Sequence, residues 1–89
     1  MDVKKADIEG LLILQPDIWV DERGYFFESY HISAFNKVGI KYQFLQDNES
    51  LSSKGVLRGL HFQKPPFEQG KLVRVVTGKV LDVVVDLRK

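Results

Sequence analysis

The sequence predicts an all-β chain, a mostly antiparallel sandwich or barrel carrying one short helix. Three observations lead there. Short apolar runs recur between turns rich in Gly, Pro and Asp. Only one segment carries a helical period, and no strand–helix–strand rhythm sets up a parallel sheet. With 89 residues the expectation is a single domain over 1–89. A domain of this size buries only about 60–65% of its unfolded surface, so its stability margin is thin.

In chain order, Leu11 to Leu14 is a continuous apolar run closed by Gln15-Pro16, and Ile18-Trp19-Val20 follows. Asp21-Glu22-Arg23-Gly24 is a charged turn ending in glycine. Tyr25 to Tyr30 alternates as a strand, with Tyr25, Phe27 and Ser29 on one face and Phe26, Glu28 and Tyr30 on the other. His31 to Val38 is the helix candidate: Ile32, Phe35 and Val38 recur at three-residue spacing and Gly39 is a stop. His31 is expected on its solvated start. Tyr42 to Asn48 reads as the next strand, with Phe44, Gln46 and Asn48 sharing a face. Ser52-Ser53-Lys54-Gly55 is a turn that opens a central strand, Val56 to Phe62. Pro65-Pro66 cannot donate to a ladder, so Lys64 to Gly70 is a loop. Lys71 to Val76 and Val80 to Leu87 are strands about Thr77-Gly78-Lys79, a tight hairpin. The last of these is the most apolar and leaves an unpaired edge, which suggests part of something larger.

Composition excludes several function classes. Thirteen basic and twelve acidic residues leave a net charge of +1 with no run of one sign, which argues against nucleic acid or a membrane surface as partner. Cysteine is absent, so disulfides, thiol nucleophiles and cysteine metal sites are excluded together. The charged stretch Met1 to Gly10 is no signal peptide, and no apolar run approaches a membrane span. A cytoplasmic protein is the resulting expectation.

The chemistry concentrates in Val56 to Phe62, where Arg58, Gly59 and His61 interrupt an apolar strand. A strand made only for packing would not carry buried arginine without an anionic partner. On composition alone, His61 reads first as a satisfied core histidine. Its alternative is a general base working near neutral pH. Lys71 could hold the enolate oxygen formed when a carbon acid beside a ketone loses its proton. Arg23 and Arg58 suit a diphosphate through bidentate contacts. Solvated surface charges remain the other reading of all three cations. Ser52 and Ser53 are turn residues without a base nearby, and Glu28, Glu68 and Asp82 show no spacing that opposes two carboxylates. Gly55-x5-His61-x-Gln63-x4-Glu68 resembles the first motif of the cupin families, with Gln63 where a second histidine ligand stands. A neutral amide there weakens a divalent site, so no metal is expected.

Four blocks together carry a closer resemblance. They are Asp21-Glu22-Arg23-Gly24-Tyr25-Phe26-Phe27-Glu28-Ser29, Gln46-Asp47-Asn48-x-Ser50-x-Ser52, Lys54-Gly55-Val56-Leu57-Arg58-Gly59-Leu60-His61-Phe62-Gln63 and Gln69-Gly70-Lys71-Leu72-Val73-Arg74. As a set they closely resemble the dTDP-4-dehydrorhamnose 3,5-epimerase family. The resemblance implies a cupin-type jelly roll (double-stranded β-helix), incomplete in this chain, and a homodimer that uses no cofactor or metal. Its substrate would be a dTDP-4-keto-6-deoxy sugar on the route to dTDP-L-rhamnose. It implies that His61 is the base for C3 and C5 and that Lys71 holds the 4-keto oxygen. Arg23, Glu28, Gln46, Asp47, Asn48 and Arg58 would bind the nucleotide sugar. It further implies that this chain is an N-terminal half, with the proton-donating tyrosine and the base-orienting aspartate outside it. Alternation places Arg58 and His61 on opposite faces of one strand, so sharing a site would require a bulge at Gly59. Two other readings stay open: a related dTDP-sugar 3-epimerase or ketoisomerase, and a remnant that folds and dimerises without turnover.

Overall fold

The computed structural model describes residues 1–88 and divides them into two compact units. One comprises Met1–Lys41 with the C-terminal segment from Leu81; the other is Tyr42–Val80.

Among the described residues, all the helix and strand lies in the first unit. Strand β1 (Asp2–Lys5) pairs antiparallel with β2 (Leu12–Gln15), placing Val3 opposite Leu14 and Lys5 opposite Leu12. Leu12 and Leu14 are half-buried while Ile13 and Gln15 are exposed, the two-residue alternation of a sheet with one covered face. The connection closes by a turn in which the Leu11 N–H donates to the Ile8 carbonyl at 3.1 Å. Gly10, third in that turn, has φ +88°, which a side chain would disfavour. The composition gave no hint of β1. Its one apolar residue, Val3, is recruited by cross-strand pairing with β2 rather than by any periodicity of its own.

Strand β3 (Trp19–Asp21) pairs antiparallel with β4 (Gly24–Phe26) across the two-residue turn Glu22-Arg23. The Asp21 side chain builds the corner: its Oδ1 accepts the Arg23 backbone N–H at 2.9 Å. Trp19 and Phe26 face each other in register with ring centroids 6.2 Å apart. Tyr25 and Phe27 stack at 6.0 Å, but the strand expected from Tyr25 to Tyr30 stops at Phe26, where the partner strand β3 has run out of residues to pair.

Helix α1 (Ile32–Lys37) forms where the sequence places it, with His31 as an extended N-cap residue. Its C-terminus is a Schellman motif. The Gly39 N–H donates to the Asn36 carbonyl at 3.1 Å and the Ile40 N–H to that of Phe35 at 2.9 Å, with Gly39 at φ +89°. The residues this motif ties together, Phe35 and Ile40, are the buried hydrophobics of the described chain. Tyr30 adds an edge-on ring contact to Phe35 at 4.8 Å.

The second unit holds a few turns and no helix or strand among the described residues. The Val56 N–H donates to the Ser53 carbonyl, closing the expected turn, and the Phe67 N–H donates to that of Lys64, a turn inside the expected Lys64–Gly70 loop. The strands expected between and beyond them do not form. Tyr42–Asn48, Val56–Phe62, Lys71–Val76 and Val80–Leu87 have no ladder among the described residues. β-propensity expresses itself only against a neighbouring strand, and none of these segments has one here. The chain bends at Gly78 (φ +91°), yet the arms of the expected hairpin fall largely in different units and remain unpaired. Beyond Ile40 every described side chain except that of Phe44 is exposed. The described regular structure is therefore antiparallel strand pairs with one short helix, as an all-β chain requires.

Candidate functional site

The residues singled out in the sequence are divided between the units. Arg23 and Glu28 belong to the first. Arg23 stands exposed at the tip of the β3–β4 hairpin, where its guanidinium grips Asp21 through Nε at 3.2 Å and Nη2 at 2.6 Å to Oδ2. That side-chain bond, with the backbone bond beneath it, holds the Asp21 carboxyl below its ordinary value of 3.8. The Asx corner and the ion pair thus use both carboxylate oxygens, fixing the hairpin tip and aiming Arg23 along it. Beside it a hollow of about 490 Å³ is lined by Trp19, Asp21, Arg23, Gly24, Tyr25 and Phe26. It is a shallow hollow open to solvent, since Trp19, Tyr25 and Phe26 that line it are themselves exposed. Aromatic walls beside a guanidinium can stack a planar ring and pair an anion. Trp19, Tyr25 and Phe26 are not among the binding residues expected from the sequence. The signal was present in the aromatic density around Asp21-Glu22-Arg23-Gly24, but choosing which rings line a hollow requires the strand register.

Glu28 lies between β4 and α1, its Oε2 3.4 Å from Nδ1 of His31. These two line a second cavity of about 110 Å³ with Met1, Pro16, Asp17, Trp19, Ala34 and Phe35. That volume is too small for a nucleotide sugar. His31 occupies the N-cap position of the helix without a side-chain capping bond and lies beside Glu28 on an exposed surface, in keeping with its expected solvated position.

The second unit carries Gln46, Asp47, Asn48, Arg58, His61 and Lys71, all exposed. Arg58 turns back on the preceding segment, donating from Nε to Ser52 Oγ at 2.8 Å and from Nη2 to the Leu51 carbonyl at 3.3 Å. Lys71 follows Gly70, whose backbone lies against the Tyr42 ring, so close that a Cβ there would sit 3.8 Å from it. The Tyr42 ring also meets that of Phe44 at 6.5 Å. The segment leading to Gln46-Asp47-Asn48 and the loop bearing Lys71 thus meet within this unit. His61 is neither buried in a core nor set in a ladder, so the satisfied-core reading does not hold. With no ladder at Gly59, a bulge does not relate Arg58 to His61; Gly59 itself has φ +136°. Among the described residues no three histidine, aspartate or glutamate side chains converge as metal ligands.

The profile of the dTDP-4-dehydrorhamnose 3,5-epimerase family matches residues 5–89. The chain belongs to that family. It is 54% identical over 90 residues to the dTDP-4-dehydrorhamnose 3,5-epimerase of Shigella flexneri, covering 100% of this chain and 50% of the relative. The enzyme of the same name from Methanothermobacter thermautotrophicus is 52% identical over 85 residues, 96% of this chain and 45% of its own length. That of Escherichia coli is 52% identical over 89 residues, with 99% and 48% covered. The chain spans about half the length of these curated relatives. Every candidate residue of the epimerase reading, from Arg23 to Lys71, falls inside the matched segment.

Proposed function

We propose that this chain supplies the N-terminal half of a dTDP-4-dehydrorhamnose 3,5-epimerase and acts on dTDP-4-dehydro-6-deoxy-D-glucose. One observation carries the reading: more than half the residues are identical to enzymes of that name along nearly the whole chain. In this reading His61 removes the proton from C5, and in a second round from C3, each acidified by the adjacent 4-keto group. The electron pair moves onto the ketone oxygen, and the Lys71 ammonium stabilises the resulting enolate. A proton returned to the opposite face inverts the carbon and restores the ketone. One proton leaves and one is added at each centre, so no electrons are gained or lost and no cofactor enters. Arg23 and Arg58 take the diphosphate, while Glu28, Gln46, Asp47 and Asn48 fix the sugar and nucleoside. The 89 residues form part of a single jelly-roll domain, in a cytoplasmic homodimer.

The test is isotope exchange followed by proton NMR in deuterated water. The chain joined to the second half of the Escherichia coli relative should wash deuterium into both C3 and C5 of the keto sugar and accumulate the inverted product. A joined protein that folds and leaves both positions protonated would sink the proposal.

A further inference from the structure

We infer that Ser52 is a positioning residue that presents Arg58 to a diphosphate. The inference rests on the reading of Arg58 as a phosphate-binding residue and assigns a role to a serine otherwise taken as turn punctuation. The turn here is closed by the backbone of its neighbour, Ser53, whose carbonyl accepts the Val56 N–H at 3.2 Å with Gly55 at φ +87°. That reversal brings Ser52 alongside Arg58. Ser52 Oγ lies outside the turn bond and accepts from Nε of Arg58 at 2.8 Å, while the Leu51 carbonyl accepts from Nη2 at 3.3 Å. Both acceptors lie along one edge of the planar guanidinium. The opposite edge, Nη1 with the remaining Nη2 hydrogen, has no acceptor among the described residues. These two N–H groups point the same way and can form a parallel pair of hydrogen bonds with phosphate oxygens.

An exposed arginine otherwise samples many rotamers, and freezing one on binding weakens affinity. Ser52 fixes the guanidinium before the ligand arrives and contributes nothing to the ligand's contact with thymine or sugar. Losing its hydroxyl should therefore weaken phosphate-bearing ligands selectively, whereas a merely structural role would weaken all ligands together.

The joined protein and its variants are titrated calorimetrically with dTDP, and separately with thymidine. Ser52→Ala should bind dTDP about two- to tenfold more weakly, the span set by one immobilised long side chain. Thymidine affinity should be unchanged. Ser52→Thr, which keeps the oxygen, should restore dTDP binding to within about twofold. Equal dTDP affinity for wild type and Ser52→Ala overturns the inference and leaves the epimerase reading standing. Parallel loss for dTDP and thymidine, or failure of Ser52→Thr to rescue, also overturns it. Absence of saturable dTDP binding by the folded joined protein sinks the phosphate-binding reading of Arg58, and this inference with it.

Discussion

At Asp21 the hairpin tip couples a structural bond to a titratable group. The Arg23 guanidinium is the larger cause of the depressed Asp21 carboxyl and the Arg23 backbone N–H the smaller. A carboxylate whose folded pKa is depressed stabilises the fold fully above its unfolded value, and loses that stabilisation as pH falls through the folded one. The relevant window therefore lies below 3.8. Carbon-detected NMR should place the Asp21 midpoint below 3.8, and Arg23→Ala should raise it only part of the way, since the backbone donor survives. An unchanged midpoint would detach the carboxylate from the guanidinium. His61 makes a second residue-scale prediction. In the joined protein, His61→Asn should bind dTDP within a few-fold of wild type but slow deuterium exchange at C3 and C5 by about 10²–10⁴. Near-normal exchange would remove His61 from the reaction.

Among the elements, α1 depends most visibly on one backbone conformation. Gly39 at φ +89° allows the Phe35 and Asn36 carbonyls to be capped and Ile40 to turn inward. A Cβ at Gly39 would meet nothing within 4 Å, so the cost of Gly39→Ala is conformational rather than steric. It should lower stability by about 1–2 kcal/mol, read as a lower melting temperature and less helical circular dichroism. No change would mean that the helix end does not hold Phe35 and Ile40. This element was legible in the sequence because its period, its stop glycine and its cap are all local. So were the turns at Ser53–Val56 and Lys64–Phe67 and the corner at Asp21. Strand β1 and the fate of Val56–Phe62 were not, since a strand is decided by what lies beside it. The candidate site divides the same way. Residue types and order were readable from His61 and Lys71, but the Ser52 hydroxyl under Arg58 and the rings around Arg23 emerged only from geometry.

At the scale of the whole molecule, the apolar surface is out of proportion to the core. Phe35 and Ile40 are buried, whereas Leu45 is 90%, Leu51 95% and Leu57 92% exposed, and Val80 to Leu87 contributes more. Each large aliphatic side chain left in water forgoes about 1.5–3 kcal/mol of burial, so association is the expected response. Light scattering on the isolated 89-residue chain should show dimers or larger species growing with concentration. A monodisperse monomer at tens of micromolar would show that this surface is tolerated.

The irregular stretch Tyr42–Val80 has one more consequence, for how long the chain survives. Lys54, Arg58, Lys71, Arg74 and Lys79 all lie on exposed backbone outside any ladder, the local geometry a trypsin-like protease needs in order to seat its substrate. The paired strands and capped helix of Met1–Lys41 are poorer substrates. The stretch carrying His61 and Lys71 is therefore also the first to be cut. Any ligand or companion polypeptide that covers it would reveal itself as a band that persists on a gel.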